Sequence, residues 1–254
     1  MSARIASYPM YVFPQTTAAM DRFWTLIRDG YGGGDPELTE FADAWDAWGH
    51  PDLLLSQTCG LPYRYALSDK VNLVGTLDYG VRGCPPGYYK SHLLVRKDDP
   101  RRALRDYLDT PFARNAALSQ SGWAAIETYL AETMAGFRFR HDILETGSHA
   151  ASVRAVATGQ AGLASIDAVT WRFLKRYDPN AATLRVLLST RPSPGLPLIT
   201  GRNVDPEPLF HAISGAIERL TMRDRRLLAI KGITRIPAEA YLTEQLPFPL
   251  TPAP

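Results

Sequence analysis

The sequence predicts an α/β protein whose two lobes are joined by a double-stranded hinge. Strand-like and helix-like stretches alternate along most of the chain, which is typical of α/β folds with parallel sheets. Two crossings, near Leu94 and near Leu198, bracket a middle section of about one hundred residues, long enough for a small domain. We therefore expect residues 1–95 and 190–254 to form lobe 1, residues 96–189 to form lobe 2, and a ligand cleft to separate them.

Four strands and two helices are predicted before residue 96. Residues 17–28 are predicted to be helical because apolar side chains recur there at helical spacing and glycines follow. Three consecutive leucines, Leu53 to Leu55, indicate a buried strand. The predicted strands are 4–8, 52–56, 71–77 and 92–95, and the predicted helices are 17–28 and 39–48.

The second part of the chain repeats this alternation. The predicted strands are 112–115, 162–166, 184–188 and 198–200. The predicted helices are 98–108, 123–134, 148–158, one through Trp171 and Leu174, 207–219 and 223–228. Three prolines within residues 190–197 exclude regular structure there, and residues 247–254 are expected to form a frayed tail.

The composition is that of an ordinary globular protein. The chain has 254 residues, of which 45% are hydrophobic and 21% charged. Because the formal net charge is only +2 and most arginines are scattered, we expect no nucleic-acid partner. The N-terminus has no apolar run of signal-peptide length, and the initiating Met favours a cytoplasmic location. A periplasmic location would require that a leader has been removed. We expect a monomer.

Two features that often mark cofactor or metal sites are weak here. Gly32-Gly33-Gly34 lacks the Lys-Ser/Thr that follows a phosphate loop. Cys59 and Cys84 could form one disulfide or remain two buried thiols, and their spacing matches no metal site. The sequence therefore predicts neither a cofactor nor a metal.

The serine-rich stretch after Asn115 is the strongest candidate for a binding site. Ser119, Gln120 and Ser121 stand where a helix begins, and the free N–H groups of a helix start favour an anion. An ordinary N-cap is the simpler explanation on spacing alone. A second stretch, which ends in Ser148 and His149, opens another helix and adds an imidazole. If the two helix starts converge, they form an oxyanion pocket.

Other candidates follow predicted strands. Gln57 and Thr58 come after the strand 52–56, and open α/β sheets bind ligands at the carboxyl ends of their central strands. A plain strand-to-helix turn explains them equally well. Tyr11 follows the first strand and is a further candidate for the cleft. Tyr88 and Tyr89 follow a loop rich in glycine and proline.

Five short motifs occur in the order seen in one protein family. They are Ser56-Gln57-Thr58-Cys59-Gly60, Tyr88-Tyr89-Lys90-Ser91, Ser119-Gln120-Ser121-Gly122, Gly147-Ser148-His149 and Ala164-Ser165-Ile166-Asp167. From Tyr8 to about Gly201, the chain resembles the phosphate/phosphite/phosphonate-binding proteins of ABC transporters, which have the type II periplasmic-binding-protein fold. The serine-rich helix start followed by Gly-Ser-His is the most specific part of this resemblance.

The resemblance implies the solute-binding component of an uptake system, with an ABC transporter permease as partner. Its two lobes would close on a small oxyanion such as phosphonate, phosphite or phosphate. Residues 119–121 would hold the anion, and His149 would donate to it. An aromatic side chain, Tyr88 or Tyr89, would line the other side of the cleft. Hydroxyl and backbone donors can neutralise a tetrahedral anion without a lysine.

The chain departs from the family at one recognition position. Members that bind aminoalkylphosphonates carry an acidic residue shortly after the proline-glycine of the return strand. Here Leu196 follows Pro194-Gly195 and cannot pair with an ammonium group. Asp167 is the remaining candidate carboxylate, although it could simply cap the following helix. This departure from the family pattern therefore argues against an aminoethyl ligand.

Two other functions are compatible with the same scaffold. Relatives of this fold make thiamine pyrimidine and menaquinone precursors, so fold alone does not exclude a cytoplasmic enzyme. In that case Cys59, Ser121, His149 and Asp167 would supply the nucleophile, the base and the orienting acid. Because no Gly-x-Ser-x-Gly nucleophile elbow occurs, we predict a binding protein and no catalytic residues. A ligand sensor that acts through a partner is the third alternative.

Overall fold

The computed structural model describes residues 4–139 and 142–245, which form two compact units. Of these residues, unit 1 contains 4–88 and 194–243, and unit 2 contains 89–139, 142–193 and 244–245. The chain therefore passes between the units after Tyr88, after Ser193 and after Thr243. The predicted tail, residues 247–254, lies outside the described residues.

These crossing points differ from the boundaries that the sequence predicted. Residues 89–95 and 190–193 were assigned to lobe 1, whereas they belong to unit 2. The reason is that the strand Ser91–Arg96 pairs on both sides with strands of unit 2. A strand's partners decide its unit, and the sequence pattern does not reveal them.

Twelve strands and nine α-helices are found in the described residues. The strands are β1 (Ile5–Ser7), β2 (Leu53–Gln57), β3 (Val71–Asp78), β4 (Tyr88–Tyr89), β5 (Ser91–Arg96), β6 (Phe112–Arg114), β7 (Ile143–Glu145), β8 (Leu163–Asp167), β9 (Leu184–Ser189), β10 (Ser193–Pro194), β11 (Pro197–Gly201) and β12 (Gly232–Thr234). The α-helices are α1 (Thr17–Tyr31), α2 (Ala44–Trp48), α3 (Gly60–Pro62), α4 (Ala125–Thr133), α5 (His149–Ala157), α6 (Ala168–Tyr177), α7 (Pro206–Arg219), α8 (Met222–Leu228) and α9 (Ala238–Leu242). Tyr63–Leu67 and Gln120–Ala124 are π-helical, and Leu104–Tyr107 and Pro179–Thr183 are 3-10 turns.

Unit 1 is built on a five-stranded mixed sheet in the order β1-β2-β11-β3-β12. β1 and β2 are parallel, whereas β11 runs antiparallel to both of its neighbours, β2 and β3. The expectation of parallel sheets therefore holds only for the β1–β2 pair of this unit. β11 is the strand on which the chain returns from unit 2, so no crossover helix fixes its direction. β4 and β10 form a separate two-stranded sheet.

Two groups of buried side chains belong to the core of unit 1. α1 buries Phe23, Trp24 and Ile27, and α7 packs against it. Trp24 Nε1 donates to the Asp35 carbonyl at 3.0 Å, so the indole is both buried and hydrogen-bonded. A second buried cluster gathers around Trp48 and contains residues of β2, β3 and α9.

Unit 2 contains a second five-stranded mixed sheet, in the order β7-β6-β8-β5-β9. β6 runs parallel to both β7 and β8, while β5 is antiparallel to β8 and β9. Parallel neighbours end at the same edge of a sheet. The segments that follow β6, β7 and β8 therefore begin at one edge, and each of them leads into a helix.

Several predicted elements differ from the structure in length or existence. Helix 39–48 is reduced to α2, because Asp43 caps the helix by accepting from the Trp45 N–H at 3.0 Å. Helix 98–108 is reduced to the 3-10 turn Leu104–Tyr107. Stretches that the sequence analysis did not predict include 60–67, β12 and α9. Among the described helices, none combines the length and apolar character needed to cross a membrane.

Candidate functional site

The serine-rich stretch forms the start of a long helix after β6. Ser119 is the N-cap, and its Oγ accepts from the Gly122 N–H at 3.0 Å. The π-helical turn 120–124 continues directly into α4, so one helix runs from residue 120 to 133. The three predicted contact residues, Ser119, Gln120 and Ser121, are each at most 4% exposed. The Gly122 N–H of the first turn is thus paired with the cap, and the Gln120 and Ser121 N–H groups have no acceptor within the helix.

Two strands hold this helix start in place. Ser91 Oγ, at the beginning of β5, donates to the Ser121 carbonyl at 2.9 Å. Ser165 Oγ, inside β8, donates to the same carbonyl at 2.6 Å. Neither serine is among the residues predicted for the site. For Ser165 the available signal was a serine within a mostly apolar strand, where a buried hydroxyl needs a partner.

Gly122 is required by the close approach of Asn115. A Cβ at Gly122 would overlap Asn115 Oδ1 and would lie 3.1 Å from Ser119 Oγ. Asn115 Oδ1 is itself buried and has no hydrogen-bond partner among the described residues. The glycine therefore leaves room for a side chain that packs directly under the helix start.

The second helix start, α5, follows β7. Ser148 is its N-cap, with Oγ accepting from the Ala151 N–H at 3.1 Å. Thr146 fixes the preceding loop, because its Oγ1 donates to the Arg114 carbonyl at 3.0 Å and lies 2.6 Å from Ser152 Oγ. The loop is thus tied both to the end of β6 and to the first turn of its own helix.

One hydrogen bond joins the two helix starts. Ser121 Oγ lies 3.0 Å from His149 Nε2. Burial lowers the pKa of His149 to about 4, so the imidazole is neutral at pH 7. Its other nitrogen, Nδ1, is buried and has no partner among the described residues. The convergence of the two helix starts, which the sequence left as a hypothesis, is thus seen within unit 2.

The charges around the two helix starts favour an anion. Neither first turn carries an acidic side chain. Each helix start contributes a partial positive charge of about one half. Arg114, which precedes the serine-rich stretch, is already paired with Glu145 at 2.9 Å, and its guanidinium lies 4.9 Å from the Trp123 ring centre. The positive field therefore comes mainly from backbone N–H groups.

Asp167, the predicted carboxylate contact, acts as a helix cap. Its Oδ1 accepts from the N–H groups of Val169 and Thr170 at 2.6 and 2.8 Å. The side chain is buried at the end of β8 and begins α6. The capping role that the sequence offered as an alternative is therefore present, and a ligand contact remains a prediction.

The capping role of Asp167 predicts a specific stability pattern. We expect Asp167→Ala to lower the free energy of unfolding by about 1–2 kcal/mol, because both N–H groups lose their acceptor. Asp167→Ser should lower the free energy of unfolding clearly less than Asp167→Ala does, since a serine hydroxyl can also cap a helix. Chemical denaturation measures both variants. Equal losses in the two variants would contradict the capping role.

The predicted contacts of unit 1 lie at the end of β2 and beside β1. Gln57 is buried, and its Nε2 donates to Tyr79 Oη at 3.3 Å, whereas its Oε1 has no partner among the described residues. Thr58 is buried, and its N–H donates to the Pro197 carbonyl at 2.9 Å. The Tyr11 ring packs edge-on against Tyr79 with the ring centres 5.0 Å apart. Tyr79, which is not among the predicted contacts, therefore connects Gln57 and Tyr11.

The remaining predicted residues divide between the units. Tyr88 is half-buried against the core of unit 1, and Tyr89 is buried in unit 2. Leu196 is buried in unit 1.

Cys59 and Cys84 do not form a disulfide with each other. Of the residues considered for an enzyme, Cys59 belongs to unit 1, whereas Ser121, His149 and Asp167 belong to unit 2.

Comparison with protein families gives one match that covers most of the chain. Residues 58–240 match the model of a family described as ABC transporter, phosphonate, periplasmic substrate-binding protein. This segment contains both helix starts, Gln120 and Ser121 at the first and His149 at the second. No curated protein sequence matches the chain.

Solved structures share the fold at low sequence identity. PhnD1 of Prochlorococcus marinus, in complex with methylphosphonate, has a TM-score of 0.76 and 14% identity, with 94% of each chain covered. A Xanthomonas citri protein bound to ATP has a TM-score of 0.70 and 15% identity, covering 96% of this chain and 95% of that one. The binding protein component of a phosphonate ABC transporter from Pseudomonas aeruginosa has a TM-score of 0.69 and 15% identity, covering 91% and 80%. The predicted type II periplasmic-binding-protein fold is confirmed.

Proposed function

The chain belongs to the family of phosphonate-binding periplasmic substrate-binding proteins of ABC transporters, and we propose that it binds a small phosphorus oxyanion at the paired helix starts of unit 2. The family consists of substrate-binding proteins, so the prediction that the chain is not an enzyme is confirmed. The observation that carries the proposal is the hydrogen bond between Ser121 Oγ and His149 Nε2 at 3.0 Å. It brings two N-terminal helix ends, two hydroxyls and an imidazole to one place.

The proposed contacts follow from which donors are still available. The Ser119 hydroxyl accepts from Gly122 and keeps its own proton to donate, whereas the Ser121 carbonyl, which can only accept, is taken by two serines. We propose that the anion accepts from the Ser121 N–H and from one member of the Ser121–His149 pair, because the hydrogen bond between a hydroxyl and a neutral imidazole leaves that pair one proton to donate. Hydrogen bonds to a charged acceptor are stronger than neutral ones, so a few such donors suffice without a lysine.

The ligand class is proposed from this donor set together with the family. A tetrahedral anion with several oxygens can accept from two helix starts at once, which a carboxylate does less well. PhnD1, the Prochlorococcus marinus protein, was solved with methylphosphonate. We therefore propose phosphonate, phosphite or phosphate as ligand, and an ABC transporter permease as partner. Gln57, Thr58, Tyr11, Tyr88, Tyr89 and Asp167 complete the proposed set of contact residues.

Isothermal titration with methylphosphonate, phosphite and phosphate tests this proposal. We expect at least one of the three anions to bind. Ser121→Ala should lower the affinity for that anion about tenfold, which is the value of one hydrogen bond to a charged group. Unit 2 offers a matched control, because Ser189 Oγ bonds His92 Nδ1 at 2.8 Å in the same way. Ser189→Ala should leave the affinity unchanged. Absence of binding by all three anions, or equal weakening by both serine variants, would contradict the proposal.

A further inference from the structure

The chain connects the two units three times, and the third connection differs from the first two. The first connection lies at Tyr88–Tyr89 and the second at Ser193–Pro194. These segments are the strands β4 and β10, which pair with each other in a two-stranded sheet. The third connection follows Thr243 and belongs to no strand of the described residues. Its position must therefore be fixed by other contacts.

On the side of unit 1, the third connection begins at an anchored helix, α9. Tyr241 of this helix is 1% exposed, and its Oη lies 2.6 Å from Thr76 Oγ1 on β3. Its ring packs edge-on against Tyr63 with the ring centres 5.3 Å apart. The Thr243 N–H donates to the Glu239 carbonyl at 3.0 Å, so the last residue in unit 1 is still tied to the helix.

On the side of unit 2, the third connection is held by a bidentate ion pair. Arg191 Nη1 and Nη2 each donate to one carboxylate oxygen of Glu244 at 2.9 Å. Only 12% of the Glu244 side chain is exposed. Bidentate pairs of this kind are stronger and more directional than a single hydrogen bond. The hydrogen-bonded Glu244 carboxylate is also the main cause that raises the pKa of Arg191 above its ordinary value.

The two anchors leave little slack in the chain. Tyr241 and Glu244 are three residues apart, with only Leu242 and Thr243 between them. Three residue steps span at most about 10–11 Å even when the chain is fully extended. The residues that connect two domains can act as a hinge about which the domains rotate. A third, short connection that is fixed at both ends restrains such a rotation.

Arg191 has a second carboxylate partner that does not belong to the third connection. Glu132, near the end of α4, accepts from Arg191 Nε at 3.0 Å. The Arg191 and Glu132 side chains are 41% and 39% exposed, and an exposed pair of this kind stabilises a protein little. Because one arginine serves two glutamates, removal of either carboxylate leaves the guanidinium paired with the other. The two glutamates therefore provide a matched comparison, since only Glu244 ties the connection to unit 2.

We propose that the Arg191–Glu244 ion pair is a latch, which holds the third connection to unit 2 and limits the rotation of the units about β4 and β10. While the latch is closed, the connection is fixed at both of its ends. When the latch opens, residues 242–245 gain freedom and the units rotate over a wider range. The latch acts on this motion and does not depend on which anion the protein binds.

A pair of spin labels measures this motion directly. One label is attached at Asp69→Cys in unit 1 and the other at Arg105→Cys in unit 2, two exposed positions. Cys59→Ser and Cys84→Ser remove the natural thiols from every labelled protein. Double electron–electron resonance then gives the distribution of distances between the labels in the full chain without ligand.

Glu244→Ala removes the latch, whereas Glu132→Ala keeps it. We expect Glu244→Ala to widen the distance distribution at least about 1.5-fold, because the third connection loses its anchor in unit 2. Glu132→Ala should leave the width unchanged, because Arg191 still holds Glu244. No widening in Glu244→Ala, or equal widening in both variants, would overturn the latch.

Hydrogen exchange of the protein with its natural cysteines gives a second measurement of the same latch. The backbone amides of residues 240–245 should exchange at least about fivefold faster in Glu244→Ala than in the wild-type protein, because local opening no longer breaks the ion pair. In Glu132→Ala these amides should keep the wild-type rate. Unchanged exchange in Glu244→Ala would show that the connection is held without the ion pair, which would also overturn the inference.

Discussion

Gly122→Ala is expected to remove most of the affinity for methylphosphonate, by about thirtyfold or more, and to destabilise the protein by about 1–3 kcal/mol. The added Cβ overlaps Asn115 Oδ1 and lies 3.0 Å from Asn115 Cγ. Either Asn115 rotates out of its buried position or the first turn of the helix moves. The second response displaces the N–H donors and Ser121 together, so binding and stability fall in parallel. Isothermal titration and chemical denaturation measure the two effects.

A double variant separates the overlap with Asn115 from the general effect of replacing a glycine in a helix. Asn115→Ala alone should change stability little, because Asn115 Oδ1 has no partner to lose among the described residues. Combined with Gly122→Ala, it should restore most of the stability and affinity, since the overlapping atoms are gone. Gly215→Ala is the matched control in a helix interior with open space around it, and it should stabilise by about 0.5–1 kcal/mol. Failure of Asn115→Ala to rescue Gly122→Ala would contradict the close-approach explanation.

Stability is expected to fall as the pH is lowered from 6.5 to 4. Burial lowers the pKa of both His92 and His149 from 6.5 to about 4, and the neighbouring Lys90 and Lys175 add to the effect on His92. Between these pH values the unfolded chain binds protons that the folded chain does not, so folding loses free energy as the pH falls. Below pH 4 both states are protonated and the contribution stays constant. After allowance for partial exposure we expect about 1–2 kcal/mol per histidine.

Two amide variants isolate the histidine contribution. In His149→Gln the side-chain amide can take the place of Nε2 beside Ser121, and in His92→Asn it can take the place of Nδ1 beside Ser189. The double variant should show a much flatter dependence between pH 6.5 and 4, measured by urea denaturation at several pH values. An unchanged slope in the double variant would mean that other groups titrate in this range.

The elements that sequence patterns predicted well are those with strong local signals. The apolar spacing of residues 17–28 predicted most of α1, and the three leucines from Leu53 predicted most of β2. The helix 98–108 was wrong because Asp99 accepts from the N–H and the guanidinium of Arg101, which holds this segment in a turn. The directions of β5 and β11 could not be predicted, because a strand's direction depends on where the chain crosses between units.

In the candidate site too, local features could be predicted from the sequence and tertiary contacts could not. Ser119 and Ser148 could be predicted as caps because a cap is a local feature of three or four residues. Ser91 and Ser165 could not, because they meet the Ser121 carbonyl from 30 and 44 residues away in the sequence. The hydrogen bond between Ser121 and His149 is also tertiary, and the sequence could only suggest it as a hypothesis.

An NMR pH titration of the His149 imidazole, with and without saturating methylphosphonate, tests the anion site most directly. In the free protein the pKa of His149 should be about 4. A bound anion beside the ring favours its charged form, so we predict a rise of at least about one pH unit. His92, whose pKa is also about 4 and which bonds Ser189, should not respond. Binding of methylphosphonate that leaves the His149 titration unchanged would contradict an anion site at the paired helix starts.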